Sequence, residues 1–419
     1  MSMVNQKSRK YAFKALLTVC ITSFCASGIS WATISLYAAP IVKDFGITAT
    51  QFMFVLTLLV IINAFSSIAL YGTIISKLGI RRSVIAGMVL LVTAQAIWAF
   101  SNGLVMLYLG AVVMGLGIVT ITANTQVLVL NAWYNKKAGT YIGIANTIGS
   151  VSGMICAAIY GNLIIAVGWR IPFLITCGFD ALGLILVVIY FKGLPEEVGV
   201  EALYTEEQST EKSESKEKET GLGLVDMIKT PKFYFLAVTY FLVGSLGYGT
   251  MGNLALLLTE TGRGELSGTA VSVTMLGSAA TMTLCGYMCD KVGSKWFVCL
   301  AMLMAGVATM ILRNPNINVV LIYLAAAFIG VAYNATQFTA GLLTKEIYGT
   351  KEYDKKVGII HGVNLFGLGF GPAILQMIKS SVGTYETTLI IFSIAAIIAI
   401  ILIIIVANPD KSIKEEANI

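Results

Sequence analysis

The chain has 419 residues, 57% of them hydrophobic and 12% charged, with a net charge of +6. A soluble domain carries about 25% charged residues, so a water-soluble fold is excluded and the class is an all-α polytopic membrane protein. The positive charge lies in the segments between apolar runs, which excludes a nucleic-acid-binding surface as its explanation.

Twelve spans are predicted, at about 12–38, 51–76, 83–101, 104–130, 139–165, 170–192, 232–258, 267–289, 295–313, 318–343, 357–380 and 385–407. Each is long enough to cross a hydrocarbon core of roughly 30 Å. The first apolar run is too long for a signal-peptide core and reads as span 1. Between spans 2 and 3 lies Gly72-Thr-Ile-Ile-Ser76-Lys77-Leu-Gly79-Ile-Arg81-Arg82. After span 4 comes Trp133-Tyr-Asn-Lys136-Lys137-Ala-Gly139, with Asn124 and Gln126 just before it inside the span. Residues 193–231 then break the apolar pattern with a polar, mixed-charge stretch that lacks the apolar residues to build a core, so they are expected to be a linker. The organisation that follows is an N-terminal six-helix bundle over 1–192, the linker over 193–231, a second bundle over 232–407 and a tail over 408–419.

The second half repeats the first. Gly286-Tyr-Met-Cys-Asp290-Lys291-Val-Gly293-Ser-Lys295 lies 214 residues after the first turn motif. Tyr353-Asp-Lys355-Lys356-Val-Gly358 follows span 10, its lysine pair 219 residues after Lys136 and Lys137. Asn334 and Gln337 in span 10 echo Asn124 and Gln126 in span 4. Two parallel halves of six spans each belong to transporters. Lys and Arg divide 23 to 5 between alternate sides, which by the positive-inside rule places both termini in the cytoplasm.

Few residues could carry chemistry. Asp180 is the acidic residue deep inside a span, and His361, the single histidine, lies near the start of span 11 with Asn364 three residues on. Intramembrane ionisable groups are rare and often functional, so both are proton-coupling candidates. The alternatives are a neutral acid bonded between helices and a helix-end histidine bonded to backbone. Trp31, Tyr37, Asn124, Gln126, Tyr248, Asn334, Gln337, His361 and Asn364 are the substrate-binding candidates, since a buried amide needs a partner from a helix or from a solute. Glycines 139, 143, 149 and 153 in span 5, and 358, 362, 367 and 371 in span 11, suit close helix contact or rocking. The seven cysteines include Cys285 and Cys289 one turn apart but no Cys-x-x-Cys, and no metal-ligand spacing, P-loop or nucleophile elbow occurs. No cofactor, metal or enzyme activity is expected.

The paired turn motifs resemble the major facilitator superfamily, whose pattern is Gly-x-x-x-Asp-[Arg/Lys]-x-Gly. The resemblance implies two pseudo-symmetric bundles around one site lined by spans 1, 2, 4, 5, 7, 8, 10 and 11. It also implies a conformational latch, carried here by Gly72, Lys77, Gly79 and Arg81, and by Gly286, Asp290, Lys291 and Gly293. Ser76 stands where the family has Asp, so the first latch should be weaker or differently built. A narrower resemblance runs from Gly28 through Trp31, Tyr37, Pro40, Asp44 and Gly46 to Thr48, which is similar to the end of span 1 in the monocarboxylate and oxalate–formate families. Those families commonly neutralise a carboxylate with an Arg in span 8 or a Lys in span 11, and neither span centre has one here.

The expected function is secondary active transport of a small organic anion, a monocarboxylate by that resemblance, by alternating access with proton symport or anion exchange. The expected setting is a plasma (inner) membrane and a monomer, with solute, lipid and protons as partners. The alternatives are a carrier of a neutral or amphipathic solute, and a transport-inactive sensor on the same fold.

Overall fold

A computed structural model describes residues 3–134, 137–203, 221–314 and 317–407, and every regular element among them is helical. In chain order they are α1 (Met3–Thr22), α2 (Ala38–Phe45), α3 (Ala49–Ala69), α4 (Tyr71–Leu78), α5 (Ile80–Ala99), α6 (Leu104–Ile118), α7 (Ala123–Tyr134), α8 (Ala138–Val167), α9 (Arg170–Tyr190), α10 (Pro195–Val198), α11 (Leu224–Lys229), α12 (Pro231–Glu260), α13 (Ser267–Val292), α14 (Ser294–Leu312), α15 (Val319–Tyr348), α16 (Tyr353–Val382) and α17 (Tyr385–Val406).

Every predicted span falls on helical segments, span 1 on a succession of α, π and 3-10 turns. Among the described residues nine helices are long and apolar enough to cross a membrane, and ten if the bent pair Val319–Ala335 and Thr339–Tyr348 counts as one. Span 4 accounts for part of the difference from twelve, because the chain breaks it into α6 and α7 by a turn at 119–122. Span 10 bends by 47° between Ala335 and Thr339. The repeat offset of 214 carries 119–122 onto 333–336, so the two interruptions occupy matching places.

The repeated glycine motif acts the same way in both halves. Gly79 (φ 74°) separates α4 from α5, and Gly293 (φ 86°) separates α13 from α14. A left-handed residue turns the chain at once between two helices, a conformation glycine takes without steric penalty.

The Cα positions group into two compact units, Met1–Ser215 with Glu265–Ser272, and Lys216–Gly264 with Val273–Ile419. In the first unit α9 buries the stripe Phe173, Thr176, Asp180, Gly183 and Val187, a helical spacing of three and four. Its other face exposes Leu174, Phe179, Leu182 and Ile185, as expected of a helix turned to lipid. Phe173 stacks on Tyr37 at 3.8 Å and meets Trp98 and Trp169. In the second unit α12 exposes Tyr234, Phe235 and Val238 near its start and is then enclosed, with an unbroken buried run from Val243 to Leu258.

Helices α8, α12, α15 and α16 each have 30 residues. At 1.5 Å per residue they reach about 45 Å, so they extend beyond the hydrocarbon core.

Candidate functional site

Span 1 is where the backbone departs furthest from a regular helix. Ser23–Trp31 is π-helical and Ile34–Tyr37 is 3-10. Non-α turns inside a span are tolerated only where protein or a water-filled cavity surrounds them, and they recur at functional sites. The local sequence Ser-Phe-Cys-Ala-Ser-Gly-Ile-Ser-Trp supplies small residues for close approach. A Cβ at Gly28 would meet Ser152 Oγ at 1.7 Å and the Gly149 carbonyl at 2.8 Å, so the π segment sits directly against α8.

Two polar ties hold this segment at its ends. Gln126 Nε2 on α7 donates to Ser23 Oγ at 2.8 Å. Ser30 Oγ donates to Asp180 Oδ2 on α9 at 3.1 Å. Asp180 is fully enclosed, on the buried stripe of α9, and Cys25 is the other polar neighbour of its carboxyl. Of the sequence candidates in this unit, Trp31 closes the π segment half-buried. Tyr37 is 1% exposed within the aromatic cluster around Phe173. Asn124 is exposed, whereas Gln126 is buried.

The acidic residue of the span 1 motif has a separate task. Asp44 Oδ2 accepts from Arg170 Nη1 at 2.9 Å and from Trp169 Nε1 at 3.1 Å. Gly46 (φ 61°) ends α2, and Thr48 with Gln51 forms a reciprocal cap at the start of α3. The Pro40–Thr48 part of the motif therefore builds a clamp and a turn between spans.

In the second unit Asn334 Nδ2 donates to the Ser278 carbonyl at 2.8 Å and to Ser278 Oγ at 2.6 Å, tying α15 to α13. Tyr248 is buried with its ring 5.7 Å from Tyr333. His361 is half-buried on α16. Asn364 is fully enclosed where α12 and α16 touch, and neither side-chain atom has a hydrogen-bond partner. The side chain of Gln337 lies outside the described residues, as do Gly286 and the side chain of Asp290 beyond their helical backbone.

Of the first latch, Gly72 and Lys77 are exposed, and Ser76 Oγ donates to the Thr73 carbonyl within its own helix. Arg81 Nη2 donates to the Val188 carbonyl at 3.3 Å, joining the start of α5 to the end of α9. Gly79 and Arg81 line a cleft of about 290 Å³ with Leu78, Arg82, Ile85, Lys192 and Glu197. Of the second latch, Lys291 lies 4.8 Å above the Tyr287 ring.

Two polar groupings escaped the sequence reading. Asn253 Nδ2 donates to the carbonyls of Gly249 and Pro372, while Gln376 Nε2 donates to Asn253 Oδ1 and Tyr385 Oη, both at 2.7 Å. The other is a fully enclosed lysine, Lys356. In the first, Asn253 reads from the sequence as a polar residue at span depth, and the missed signal was its partner Gln376, deep in span 11.

The contrast between Asn253 and Asn364 has a measurable consequence. Asn253→Ala leaves one buried Gln376 side-chain donor without its partner, so it should destabilise by about 1–3 kcal/mol. Asn364→Ala removes two unpartnered polar atoms and should leave the melting temperature unchanged or raise it. Thermal unfolding of both variants in one detergent checks this, and an equal loss in both would refute it.

Helices of spanning length, in two units with matching turns and matching interruptions, define a polytopic membrane carrier. The sequence matches the Major Facilitator Superfamily over residues 19–264 and again over 236–418. The chain belongs to the major facilitator superfamily. It is 23% identical to a Haemophilus influenzae protein named for metabolite transport, over 94% of this chain and 96% of that one. It is 24% identical to the 4-hydroxybenzoate transporter PcaK of Acinetobacter baylyi, over 94% and 92%. An Arabidopsis thaliana protein named for glycerol-3-phosphate transport is 23% identical over 61% of this chain and 55% of that one. The fold superposes on a mutant of the nucleoside transporter NupG with a TM-score of 0.76 at 12% identity, covering 94% of this chain and 99% of that one. It superposes on the peptide transporter POT with a TM-score of 0.73 at 13% identity, covering 94% and 95%. The protein is a secondary transporter of small solutes, integral to a lipid bilayer.

Proposed function

We propose that the solute is a small organic anion, a monocarboxylate, moved by alternating access and coupled to protons or to a counter-anion. The observation that carries the anion class is the chemistry in the relatives' names: 4-hydroxybenzoate is a monocarboxylate and glycerol 3-phosphate an organic phosphate. The span 1 likeness to monocarboxylate and oxalate–formate carriers supports it less, because Asp44, Gly46 and Thr48 serve the clamp and turn. Asp180 of α9, bonded to Ser30 of the π-helical turn, is the proposed proton carrier, and His361 a second candidate. Trp31, Gln126, Tyr248, Asn334, Gln337, His361 and Asn364 are the proposed solute contacts. The turns at Gly79 and Gly293 are the proposed latch. The membrane is the plasma (inner) membrane, with both termini and the lysine-rich loops in the cytoplasm.

One observation favours a second reading, a neutral or amphipathic solute. The central stretches of α13 and α16 have no Lys or Arg; Lys291 lies in the last turn of α13, and Lys355, Lys356 and Lys379 lie near the ends of α16. The amides and tyrosines above are uncharged donors that suit such a solute.

The deciding experiment is uptake into proteoliposomes of labelled mono- and dicarboxylates, 4-hydroxybenzoate and glycerol 3-phosphate among them, with and without an imposed pH gradient. Uptake of a monocarboxylate stimulated by an alkaline interior is the expected result. Uptake that requires internal anion would assign exchange. No flux of any anion would overturn the organic-anion reading in favour of the neutral one.

A further inference from the structure

The second unit holds the end of the connecting segment by a set of contacts that the transport reading leaves unused. Lys356 is fully enclosed, although it lies in the first turn of α16. Its Nζ donates to three backbone carbonyls: Tyr348 at 2.8 Å, Gly349 at 2.9 Å and Leu222 at 3.2 Å. An ammonium has three N–H donors, so each finds an acceptor. Two acceptors are the last residue of α15 and its cap, where a helix favours a cation. The third belongs to the segment that leads into α11 and α12.

Glu352 completes the arrangement. It is the one non-glycine residue with a left-handed backbone among the described residues (φ 49°). Its Oε2 accepts from the Leu224 N–H at 2.8 Å, and its Oε1 accepts from Lys355 Nζ at 2.8 Å. Gly223 offers α11 no side-chain cap, so Glu352 satisfies that N–H from a distant part of the chain. Gly221 (φ 90°) lies so close that a Cβ would come within 2.3 Å of the Tyr348 carbonyl. Met227 of α11 is fully enclosed.

The first unit makes the corresponding contact with other chemistry. Trp133 stands 219 residues before Glu352, the offset of the lysine pairs. Trp133 Nε1 donates to the Gly193 carbonyl at 3.1 Å, and the Leu203 N–H donates to the Trp133 carbonyl at 3.1 Å. The same position of the repeat thus holds the segment leaving span 6 in one unit and the segment entering span 7 in the other.

We propose that Lys356 and Glu352 are positioning residues of the transport cycle, clipping the start of α11, which leads directly into α12, to the α15–α16 turn so that α11, α12, α15 and α16 move as one body. The consequence for transport rests on the transporter reading; the clip itself does not. Lys355 first, then the Leu224 N–H and Lys351, hold the Glu352 carboxyl below the ordinary carboxylate range. Asp226 and Lys229 are the other charged groups nearby on α11. A depressed pKa stabilises above the unfolded value and loses its effect as pH falls through the folded one, so the Glu352–Lys355 ion pair should be constant from neutral pH down to about 4 and be lost below it, while the neutral carboxyl, like the Gln side chain, keeps an oxygen for the Leu224 N–H.

The test is hydrogen exchange on the full-length protein in detergent, with Lys356→Met, Glu352→Ala and Glu352→Gln. Exchange over 224–240 and over 353–360 should rise together by about tenfold or more in the first two variants. Glu352→Gln keeps an oxygen for the Leu224 N–H and should restore protection. For uptake of labelled 4-hydroxybenzoate, the maximal rate should fall at least fivefold in the loosened variants with KM unchanged. Unchanged exchange, or faster exchange with an unaltered maximal rate, would overturn the proposal. Should the wild type carry no 4-hydroxybenzoate, the solute reading loses that substrate while the exchange arm, including loss of joint protection, still decides the clip. Where Lys356→Met fails to fold, the Glu352 pair decides.

Discussion

Gly367→Ala is expected to destabilise the protein by about 1–3 kcal/mol, the range for overpacking a close contact. A Cβ at Gly367 would stand 2.1 Å from the Phe241 carbonyl oxygen, with the Phe241 carbonyl carbon and Cα within 2.9 Å. These are backbone atoms of α12 and cannot rotate away, so relief requires the two helices to part. The neighbouring contacts leave no slack. A Cβ at Gly371 would lie 2.5 Å from the Ser245 carbonyl, and one at Gly244 would lie 2.4 Å from the Asn364 carbonyl. Helices in lipid associate through such packing because the hydrophobic effect does not separate them from hydrocarbon. The control lies in the same helix. Gly358 has open space around its Cβ position, so Gly358→Ala should be neutral or stabilise by about 0.5–1 kcal/mol through helix propensity. Thermal unfolding of the two variants side by side is the measurement. Equal melting temperatures would show that α12 and α16 can separate freely, and the tight seam would lose its meaning.

The same comparison shows what the sequence could and could not disclose. Glycine spacing pointed to close contact in spans 5 and 11 alike. Gly149 approaches the Ser23 carbonyl, and Gly367 and Gly371 approach α12, while Gly139, Gly143, Gly358 and Gly362 face open space. Spacing shows that a helix has a small-residue face but not which neighbour reaches it. The turn motifs were legible because a glycine between two helices is a local requirement, and both took the left-handed conformation. The amide echo between spans 4 and 10 was legible as a repeat but not as a site. Asn124 and Gln126 are two residues apart, which on a helix sets them on opposite faces, and one is exposed while the other bonds Ser23. Lys356 was invisible for a different reason. A lysine in a basic loop reads as solvated, and its enclosure depends on a carbonyl 134 residues away in sequence.

Asp180→Asn should leave the fold intact and abolish the stimulation of uptake by a pH gradient, with a loss of at least tenfold in gradient-driven rate. The side chains are nearly isosteric, and the asparagine oxygen can still accept from Ser30 Oγ, now 3.1 Å from the carboxyl. What the substitution removes is the ability to take up and release a proton. An uncompensated charge at span depth is costly, and the bonded partner of Asp180 is a hydroxyl. Loading and unloading a proton must therefore accompany a change in what faces the carboxyl. The π-helical turn is the part that such a change would move. It is tied at one end to α7 through Gln126 and at the other to α9 through Asp180, and a turn out of α register has an alternative hydrogen-bonding pattern close by. The competing role is purely structural, and Asp180→Ala separates the two. Leaving Ser30 and a small void should cost about 1–3 kcal/mol whatever the function, whereas only a coupling role makes the well-folded asparagine variant blind to the gradient. Counterflow, which needs no net proton movement, should survive in that variant if Asp180 couples. If instead the asparagine variant keeps its full response to an alkaline interior, Asp180 is a helix tie and the proton, where one is moved, travels through His361 or another group.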